Sequence, residues 1–393
     1  MRLAILGTRG VPANYGGFET FAAELSTRLV ARGHEVSVYC REVPRGSSEV
    51  PRGSSEVPRG SSADLAPGTP RNPRNPRNSE EPEIWNGVHR IVLPAARHKY
   101  LETVSHAFLS AVDALRRDFD AVLVCNAANA FVLPLLRAGR IKTAINVDGI
   151  ERKRRKWNVL GRAVYSAGEA MSVSFADEVV ADAEVIARYY RENYAAEPVT
   201  IPYGSDFPQE EDSDIRERLG VRDYILYVSR FEPENNPLEV VEAYERLADA
   251  PPLVMVGKGL YAHDLVAELQ RHASERVLFP GAIYGRDYRT LQRNALVYIQ
   301  ATEVGGTHPA MIEAMASGGV VLAHDTPENR EVGGDAAGYF SLRPIETLSG
   351  VLREWLANAA VREQYRARAR KRAGELYSWE RVTGAYERLF ARL

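Results

Sequence analysis

The sequence contains few cysteines and no long apolar segment. Cys40 and Cys125 are the only two cysteines among 393 residues, too few for a disulfide framework, and they lack the spacing of a metal site. We expect two buried thiols in a reducing compartment. No apolar run approaches membrane-spanning length. A predicted strand begins at Leu3, so we expect no signal peptide and a cytoplasmic protein.

An excess of charge of either sign is also missing. Lysine and arginine total 50, aspartate and glutamate total 52, and the formal net charge is −2. Without a general basic excess, nucleic acid is not expected as a partner. Of the eight histidines only His308 falls in a motif, and no Asp-x-Asp pair or histidine cluster suggests a metal site. We therefore expect neither a metal nor a cofactor.

What the chain does contain is a regular alternation of short apolar runs and helical patterns, which predicts parallel sheets covered by helices. Two such series predict an α/β protein with two doubly wound domains that face each other across a cleft. We place the domains at residues 1–205 and 206–376, and expect residues 377–393 to form a helix that closes back on the first domain. The predicted strands are 3–7, 35–40, 90–94, 121–125, 143–147, 178–181 and 199–202, then 224–229, 253–257, 277–280, 296–300, 320–324 and 337–340.

Residues 42–81 follow neither pattern. The unit Glu-Val-Pro-Arg-Gly-Ser-Ser occurs three times in residues 42–62, and Pro-Arg-Asn occurs three times in residues 70–78. Frequent proline with almost no apolar partner cannot form a core, so we predict a disordered loop. An expansion without function explains it better than a loop that overhangs the cleft.

The most specific pattern lies in residues 304–319. Gly305 and Gly306 follow a predicted strand, Pro309 suits the first position of a helix, and Gly318 suits its end. Such a helix N-terminus offers free N–H groups and a partial positive charge, which favour a phosphate. One turn into the helix, Glu313 is placed to bind the hydroxyls of a ribose. We therefore predict a nucleotide at this strand end.

A second glycine-rich turn occupies residues 7–21. It contains neither the Gly-x-Gly-x-x-Gly fingerprint nor the lysine of an NTPase loop. Taken alone, it is equally well explained by a tight turn that needs glycine. Together with Gly305 and Gly306 one domain later, Gly16 and Gly17 predict a phosphate-binding loop on the opposite wall of the cleft.

These motifs resemble those of the retaining glycosyltransferases of family 4, which have the GT-B fold. The resemblance extends over nearly the whole chain, in residues 16–17, 32–36, 181–183, 201–206, 227–236, 309–318 and 378–380. Within that family, residues 13–21, 146–151 and 305–309 look most like the bacterial rhamnosyltransferase-like subgroup.

The resemblance implies transfer of a hexose or deoxyhexose, such as rhamnose, from a nucleoside diphosphate sugar. The acceptor would be a saccharide or a lipid-linked molecule in polysaccharide biosynthesis, bound on the side of the first domain. It also implies retention of configuration by front-face attack. The predicted donor-binding residues are Gly16, Gly17, Arg230, Asn235, Gly306, Thr307, His308 and Glu313.

Two positions depart from the family. Its two glutamates usually stand eight residues apart, but Gly305 is eight before Glu313, and Glu303 lies two residues out of register. The usual lysine five or six residues after Arg230 is replaced by Asn235 and Asn236, which can hydrogen-bond a phosphate but carry no charge. We interpret both departures as tuning for the donor.

Asp148 and a basic segment complete the candidates. Asp148 is the best-placed carboxylate near an acceptor, although a turn-capping role before Gly149 explains it equally well. We predict Asp148, Arg230 and Glu303 as the catalytic residues. Residues 152–157 hold five cations beside a tryptophan. A solvated charged loop is the commoner explanation of such a run. We slightly favour a contact with anionic lipid at the inner face of the plasma membrane or with a lipid-linked diphosphate acceptor.

Two other functions remain open. A non-catalytic scaffold that binds sugar nucleotides would fit the missing glutamate and lysine. A GT-B epimerase or hydrolase would release free sugar without any acceptor. No pair of carboxylates stands out as nucleophile and acid, which argues against hydrolysis.

Overall fold

The structure is a computed structural model that describes residues 1–13, 16–42, 83–96, 101–154, 158–206, 211–259 and 263–393, without the side chains of Glu83, Lys153 and His263. Apart from Glu42, the segment 42–81 that we predicted to be disordered lies outside these residues.

Two sheets dominate the described chain. The first contains β1 (Arg2–Leu6), β2 (Glu35–Arg41), β3 (Glu83–Trp85), β4 (Val88–Leu93), β5 (Ala121–Cys125), β6 (Thr143–Asn146), β7 (Glu178–Ala181) and β8 (Val199–Thr200). These strands pair in the order β3-β4-β2-β1-β5-β6-β7-β8. All the pairs are parallel except β3 with β4, and β3 was not predicted from the sequence.

The second sheet is parallel throughout. Its strands are β9 (Ile225–Val228), β10 (Leu253–Val256), β11 (Val277–Gly281), β12 (Val297–Gln300), β13 (Val321–His324) and β14 (Gly338–Phe340). They pair in the order β11-β10-β9-β12-β13-β14. The predicted pair of doubly wound α/β domains is therefore confirmed.

Helices cover both sheets. They are α1 (Gly17–Ala31), α2 (Glu102–Ala114), α3 (Leu133–Ala138), α4 (Val159–Phe175), α5 (Glu184–Tyr194), α6 (Ile215–Arg218), α7 (Pro237–Glu245), α8 (His263–His272), α9 (Gly285–Asn294), α10 (Pro309–Ala316), α11 (Pro327–Gly333), α12 (Glu346–Ala357), α13 (Ala359–Leu376) and α14 (Trp379–Arg392).

The central strands are apolar on both faces because helices pack on both sides of each sheet. All five residues of β5 and all four of β12 are buried. Alternate residues of β1 and β5 belong to different core clusters, one on each face of the first sheet.

The strand order reverses once in each sheet. In the first sheet β1 lies between β2 and β5, and in the second β9 lies between β10 and β12. Loops at the carboxyl ends of such strands diverge and leave a crevice, which is where doubly wound sheets bind ligands. The predicted site loops follow β1, β9 and β12.

The final helix joins the two domains. Trp379, Tyr386 and Leu389 of α14 are buried in the same cluster as Phe21 of α1. The hydroxyl of Tyr386 accepts a hydrogen bond from Asn146 Nδ2 at 2.8 Å. The predicted closing helix therefore packs on the first domain.

Candidate active site

Helix α10 begins at the crevice of the second sheet. His308 is its N-cap, Pro309 is its first residue, and Gly318 just beyond it has a φ of +79°. The helix thus starts and ends where the glycine and proline pattern predicted. Because it follows the loop after β12, its N-terminus lies at the carboxyl edge of the sheet, where its free N–H groups favour an anion.

Glu313 lies on the second turn of α10. Its Oε2 accepts a hydrogen bond of 2.6 Å from the hydroxyl of Tyr288, and that hydroxyl accepts one from Gln292 Nε2 at 2.7 Å. Withdrawal from water raises the pKa of the Glu313 carboxyl to about 7. This carboxylate is therefore oriented by α9 and titrates near neutrality.

Arg230 lies in the loop after β9 and is half-exposed, with its Nη1 3.5 Å from Glu232 Oε1. The Nδ2 of Asn235 donates to the carbonyl oxygen of Arg230 at 2.7 Å. The Nδ2 of Asn236 donates to the carbonyl oxygen of Ala301 at 2.8 Å. The two asparagines that replace the family lysine thus fix the Arg230 loop and join it to the loop after β12.

The first domain presents its loop after β1 to the same region. Gly16 is the N-cap of α1, and a Cβ added to Gly17 would meet Pro309 Cγ at 3.5 Å, an ordinary contact. Glu19 accepts a hydrogen bond of 3.0 Å from the N–H of Arg9. The turns that carry Gly17 and α10 are therefore in contact across the crevice.

Asp182, which follows β7, contacts the Gly306–Thr307 turn across the crevice. Its Oδ2 accepts hydrogen bonds from the Thr307 N–H at 2.8 Å and the Thr307 hydroxyl at 3.1 Å. A Cβ on Gly306 would lie 1.9 Å from Asp182 Oδ1, so the glycine is needed here for an internal carboxylate. Burial, followed by repulsion from Asp148, raises the pKa of Asp182 to about 8.

His308 is buried beside this contact. Burial, followed by the charge of Arg154, lowers its pKa to about 4, so its imidazole is neutral at pH 7. Its Nε2 has no hydrogen-bond partner among the described residues. A Cβ on Gly305 would lie 2.5 Å from His308 Cε1, so the first glycine leaves space for this ring.

A buried group of charges connects the loop after β6 with the Arg230 loop. Arg154 Nε donates to Glu151 Oε1 at 2.6 Å, and its Nη1 lies 3.3 Å from Glu234 Oε1 and 3.5 Å from Glu232 Oε2. Arg154 is 9% exposed, and Glu234 is fully buried. Because the arginine belongs to the first domain and Glu232 and Glu234 to the second, this group holds the two domains together.

Asp148 belongs to the same region and has a φ of +57°. Its N–H donates to Asn146 Oδ1 at 3.0 Å. Burial and the neighbouring Glu151 raise the pKa of the Asp148 carboxyl, while Arg154 and Arg230 lower it. The turn conformation agrees with a turn-capping role for Asp148, and its position beside two arginines agrees with a catalytic role.

The structure changes the interpretation of the basic segment 152–157. Arg152 Nε donates to the hydroxyl of Tyr189 at 2.9 Å and lies 3.4 Å from Glu169, and Arg154 belongs to the buried group. Residues 155–157 lie outside the described part. Arg152 and Arg154, predicted to contact lipid, face the protein because buried carboxylates neutralise them.

Glu303 borders a cavity of about 250 Å³ between the domains. The cavity is lined by Ile150 from the first domain and by Glu303, Gly305, Thr326 and Glu328 from the second. Its position beside the glycine turn suits a group that extends beyond a phosphate bound at α10.

The site therefore combines a cation, a helix N-terminus and an oriented carboxylate on one wall, with acidic and basic groups opposite. Sequence reasoning did not assign roles to Tyr288 or Asp182, and it assigned Arg154 to lipid contact instead of to the buried group between the domains. For Asp182 there was a signal, because it lies in a segment that resembles the family. Within the described ranges, no group of three or more His, Cys, Asp and Glu side chains could hold a metal, and no helix is long and apolar enough to cross a membrane.

Comparison with known proteins identifies both halves of the chain. Residues 16–204 match the glycosyl transferase 4-like domain, and residues 208–372 match the glycosyl transferases group 1 domain. Alpha-monoglucosyldiacylglycerol synthase of Streptococcus pneumoniae is 29% identical over 129 residues, which cover 31% of this chain and 29% of that protein.

Two solved structures show the same fold over the full length of both chains. Sucrose-phosphate synthase from Thermosynechococcus elongatus superposes with a TM-score of 0.76 at 19% identity. HepE of Anabaena in complex with UDP-glucose superposes with a TM-score of 0.75 at 13% identity. These likenesses show that the chain has the GT-B fold. The two matched domains show that it is a glycosyltransferase, built from a glycosyl transferase 4-like domain and a glycosyl transferases group 1 domain.

Proposed function

We propose that this glycosyltransferase is a retaining, metal-independent enzyme. It would move a hexose or deoxyhexose from a nucleoside diphosphate sugar to a saccharide or lipid-linked acceptor in bacterial polysaccharide synthesis. The observation that carries the proposal is the wall made by Arg230, the N-terminus of α10 and Glu313. An arginine and a helix N-terminus suit a diphosphate, and a carboxylate within the same helix suits a ribose.

The similar proteins favour glucose as the first sugar to test. HepE was crystallised with UDP-glucose, and the Streptococcus pneumoniae relative is named for a monoglucosyl product. The subgroup motifs in residues 13–21, 146–151 and 305–309 favour an activated rhamnose as the second.

The chemistry follows from the two walls. The bond between the sugar C1 and the diphosphate oxygen breaks, and negative charge develops on the leaving group, where Arg230 and the N–H groups of Gly17 and Gly306 would stabilise it. The acceptor oxygen bonds to C1 on the same face, and its proton passes to the departing phosphate oxygen. Asp148 would orient the acceptor hydroxyl, and Glu303 would contact the sugar.

Closure of the cleft involves Asp182. A donor phosphate that binds the Thr307 N–H must displace the Asp182 carboxylate, which holds that N–H at 2.8 Å. Donor binding at this N–H is therefore coupled to the contact between the two domains, because the phosphate and Asp182 compete for one hydrogen-bond donor.

The direct test is a thermal-shift screen with UDP-, GDP-, ADP- and dTDP-sugars, since a ligand that binds only the folded state raises its stability. The best donor is then used with labelled sugar and acceptor extracts, with and without EDTA. We expect product of retained anomeric configuration and full activity in EDTA. Loss of activity on chelation that magnesium or manganese restores would contradict the metal-independent mechanism.

The same assay separates the alternatives. A scaffold would bind a donor but never turn it over. A hydrolase or an epimerase would consume the donor without an acceptor.

A further inference from the structure

Exposed apolar side chains are concentrated on two helices of the first domain. On α4, Val159, Leu160 and Val164 are 84%, 73% and 55% exposed. On α2, Val104 and Phe108 are 44% and 52% exposed. Of the eleven large apolar side chains that are exposed in the described residues, eight belong to α4 or to α2 and its two caps. Single exposed apolar residues are ordinary, but a concentration of them marks an interaction surface.

The two helices lie on the same side of the sheet. The inner faces of α2 and α4 meet at one core cluster. Ala107 and Ala111 of α2 belong to it, and Met171 of α4 packs against it. Both helices also contact residues 127–132. Since α2 and α4 each follow a parallel strand, β4 and β6, both begin at the carboxyl edge of the sheet. Their first turns, which carry Val104, Val159 and Leu160, therefore lie at the edge that forms the cleft.

The charge of this surface is positive. Between residues 158 and 168 the single charged residue is Arg162, which is exposed. On α2 the carboxylate of Glu102 is neutralised by Arg41, at 2.8 Å. In the sequence, Lys156 and Arg155 lie three and four residues before Val159, the first residue of α4. Apolar side chains with cations and without an unpaired carboxylate suit the interface of an anionic bilayer, where each cation adds to the binding.

The surface also begins close to the cleft. Arg154 lies in the buried group between the domains, and Asn158 caps α4 by accepting a hydrogen bond from the Gly161 N–H at 2.9 Å. Four residues of extended chain span at most about 14 Å. A bilayer in contact with the first turn of α4 would therefore lie within reach of the Asp148 side of the cleft.

We propose that the exposed faces of α2 and α4 form a docking surface for an anionic lipid bilayer, here called the α2–α4 surface. As far as it explains how a lipid-linked acceptor reaches the cleft, this inference rests on the proposed function. It takes the place of Arg152 and Arg154, which face inwards, as the main membrane contact. The α2–α4 surface binds by apolar insertion from two helices, and its cations select anionic lipid.

The test is co-sedimentation of the full chain with vesicles of phosphatidylcholine alone or mixed with phosphatidylglycerol. The wild type is expected to bind the anionic vesicles more tightly and to lose affinity as salt increases. The double substitution Leu160→Ser and Val164→Ser is expected to weaken binding at least about tenfold, since each side chain loses favourable transfer from water. Arg162→Glu is expected to weaken binding to anionic vesicles alone.

The matched control is Ile84→Ser, which removes a 62% exposed apolar side chain from β3 in the same domain. It is expected to bind vesicles as the wild type does. Thermal melting of each variant verifies that it is folded, and Phe108→Ser on α2 tests the second helix independently.

Three results would overturn the proposal. One is a wild type that does not bind anionic vesicles, and another is an equal loss in the Ile84→Ser control. The third is a wild-type dimer, seen by sedimentation equilibrium, that Leu160→Ser with Val164→Ser dissociates, because the surface would then join two copies of the chain. Calorimetric titration with UDP-glucose in solution tests the proposed function separately from membrane binding. A chain that binds vesicles but no sugar nucleotide overturns the proposed function alone.

Discussion

The two walls of the cleft are held in place by different kinds of contact. The donor wall, formed by residues 229–236 and α10, has its own hydrogen bonds within the second domain, in addition to the ion pairs of Glu232 and Glu234 with Arg154. Asn235 and Asn236 hold the Arg230 loop, and Tyr288 orients Glu313. The facing wall, formed by the loops after β1, β6 and β7, depends on contacts that cross the cleft, through Arg154 and Asp182.

Because the two walls are held by different contacts, we expect them to act at different steps of the reaction. A wall fixed by its own domain keeps its shape when the domains separate, so it can bind the donor first. A wall fixed by cross-cleft contacts acquires its shape on closure, so it affects turnover more than donor affinity, except at Asp182, which competes with the donor for the Thr307 N–H. Substitutions on the two walls therefore have distinct kinetic signatures.

The largest effect is expected from Arg230→Ala on the donor wall. Removal of a charge-assisted hydrogen bond to the diphosphate should lower kcat/KM by about one to two decades while the protein stays folded. Steady-state kinetics with the best donor measures this. Arg246→Ala, which removes a half-exposed arginine paired with Glu346 in the same domain, is the control. Near-normal kcat/KM in Arg230→Ala would contradict its assignment to the diphosphate.

Arg154→Met on the facing wall should lower kcat on the order of tenfold and leave the KM for the donor nearly unchanged, because it loosens closure. It should also lower the free energy of unfolding by about 3 kcal/mol, since Glu234 would be buried without its partner. Adding Glu234→Gln should restore stability but not kcat. Arg392→Met, which breaks a more exposed ion pair with Glu178 between the closing helix and the first domain, should change neither.

If the double variant recovered kcat together with its melting temperature, Arg154 would have only a structural role. A rise in the donor KM with unchanged kcat would instead place Arg154 on the donor wall.

Glu313 gives the donor wall a pH dependence. Its pKa of about 7 in the folded protein lies above the ordinary glutamate value of 4.5. Donor affinity should therefore rise with pH up to about 7, as the carboxylate that accepts the ribose hydroxyls forms. Glu313→Gln should flatten this profile and weaken donor binding about fivefold above pH 7. A sugar nucleotide is the probe because its diphosphate diester does not titrate in this range.

The raised pKa of Glu313 also predicts the direction in which the stability of the protein changes with pH. The unfolded carboxyl ionises near pH 4.5 and the folded one near pH 7, so ionisation favours unfolding as pH rises through this window. The stability of Glu313→Gln relative to wild type should therefore increase between these values, as measured by urea unfolding. If the difference in stability between Glu313→Gln and wild type did not change with pH, the pKa of Glu313 would not be raised.

The smallest effect is expected from Asp182→Asn. The pKa of Asp182 is about 8, so the comparison is made above pH 8, where the wild-type carboxyl is mostly ionised. Asparagine Oδ1 can still accept the Thr307 hydrogen bond, but the negative charge beside the phosphate site is gone. Donor binding should therefore become a few-fold tighter at this pH, as judged by the donor KM. Weaker binding would show that the carboxylate holds the Thr307 N–H in position for the phosphate.

The fold could be predicted from the sequence because buried parallel strands are apolar on both faces and alternate with helical periods. Strand β3 was missed because it has only three residues and directly follows the repeat segment 42–81, which lacks the apolar alternation of a strand. A local signal existed. Asn86 and Gly87 connect β3 to β4 with φ angles of +47° and +81°, and Asn-Gly between apolar residues is typical of a hairpin turn.

The site was harder to predict because burial is a property of the folded chain. In a run of five cations nothing distinguishes Arg154, which is buried against carboxylates from the other domain. Gly306 predicted close approach of a phosphate, and the structure places the Asp182 carboxylate there. The glycine signal located the contact correctly but could not identify the group that makes it.

The most direct test of the difference between the walls is calorimetric titration of the best nucleoside diphosphate sugar into wild type, Arg230→Ala and Arg154→Met. We predict that Arg230→Ala weakens the Kd by at least about tenfold, while Arg154→Met leaves the Kd within about twofold of wild type. The account would be contradicted if Arg154→Met raised the Kd and Arg230→Ala left it unchanged.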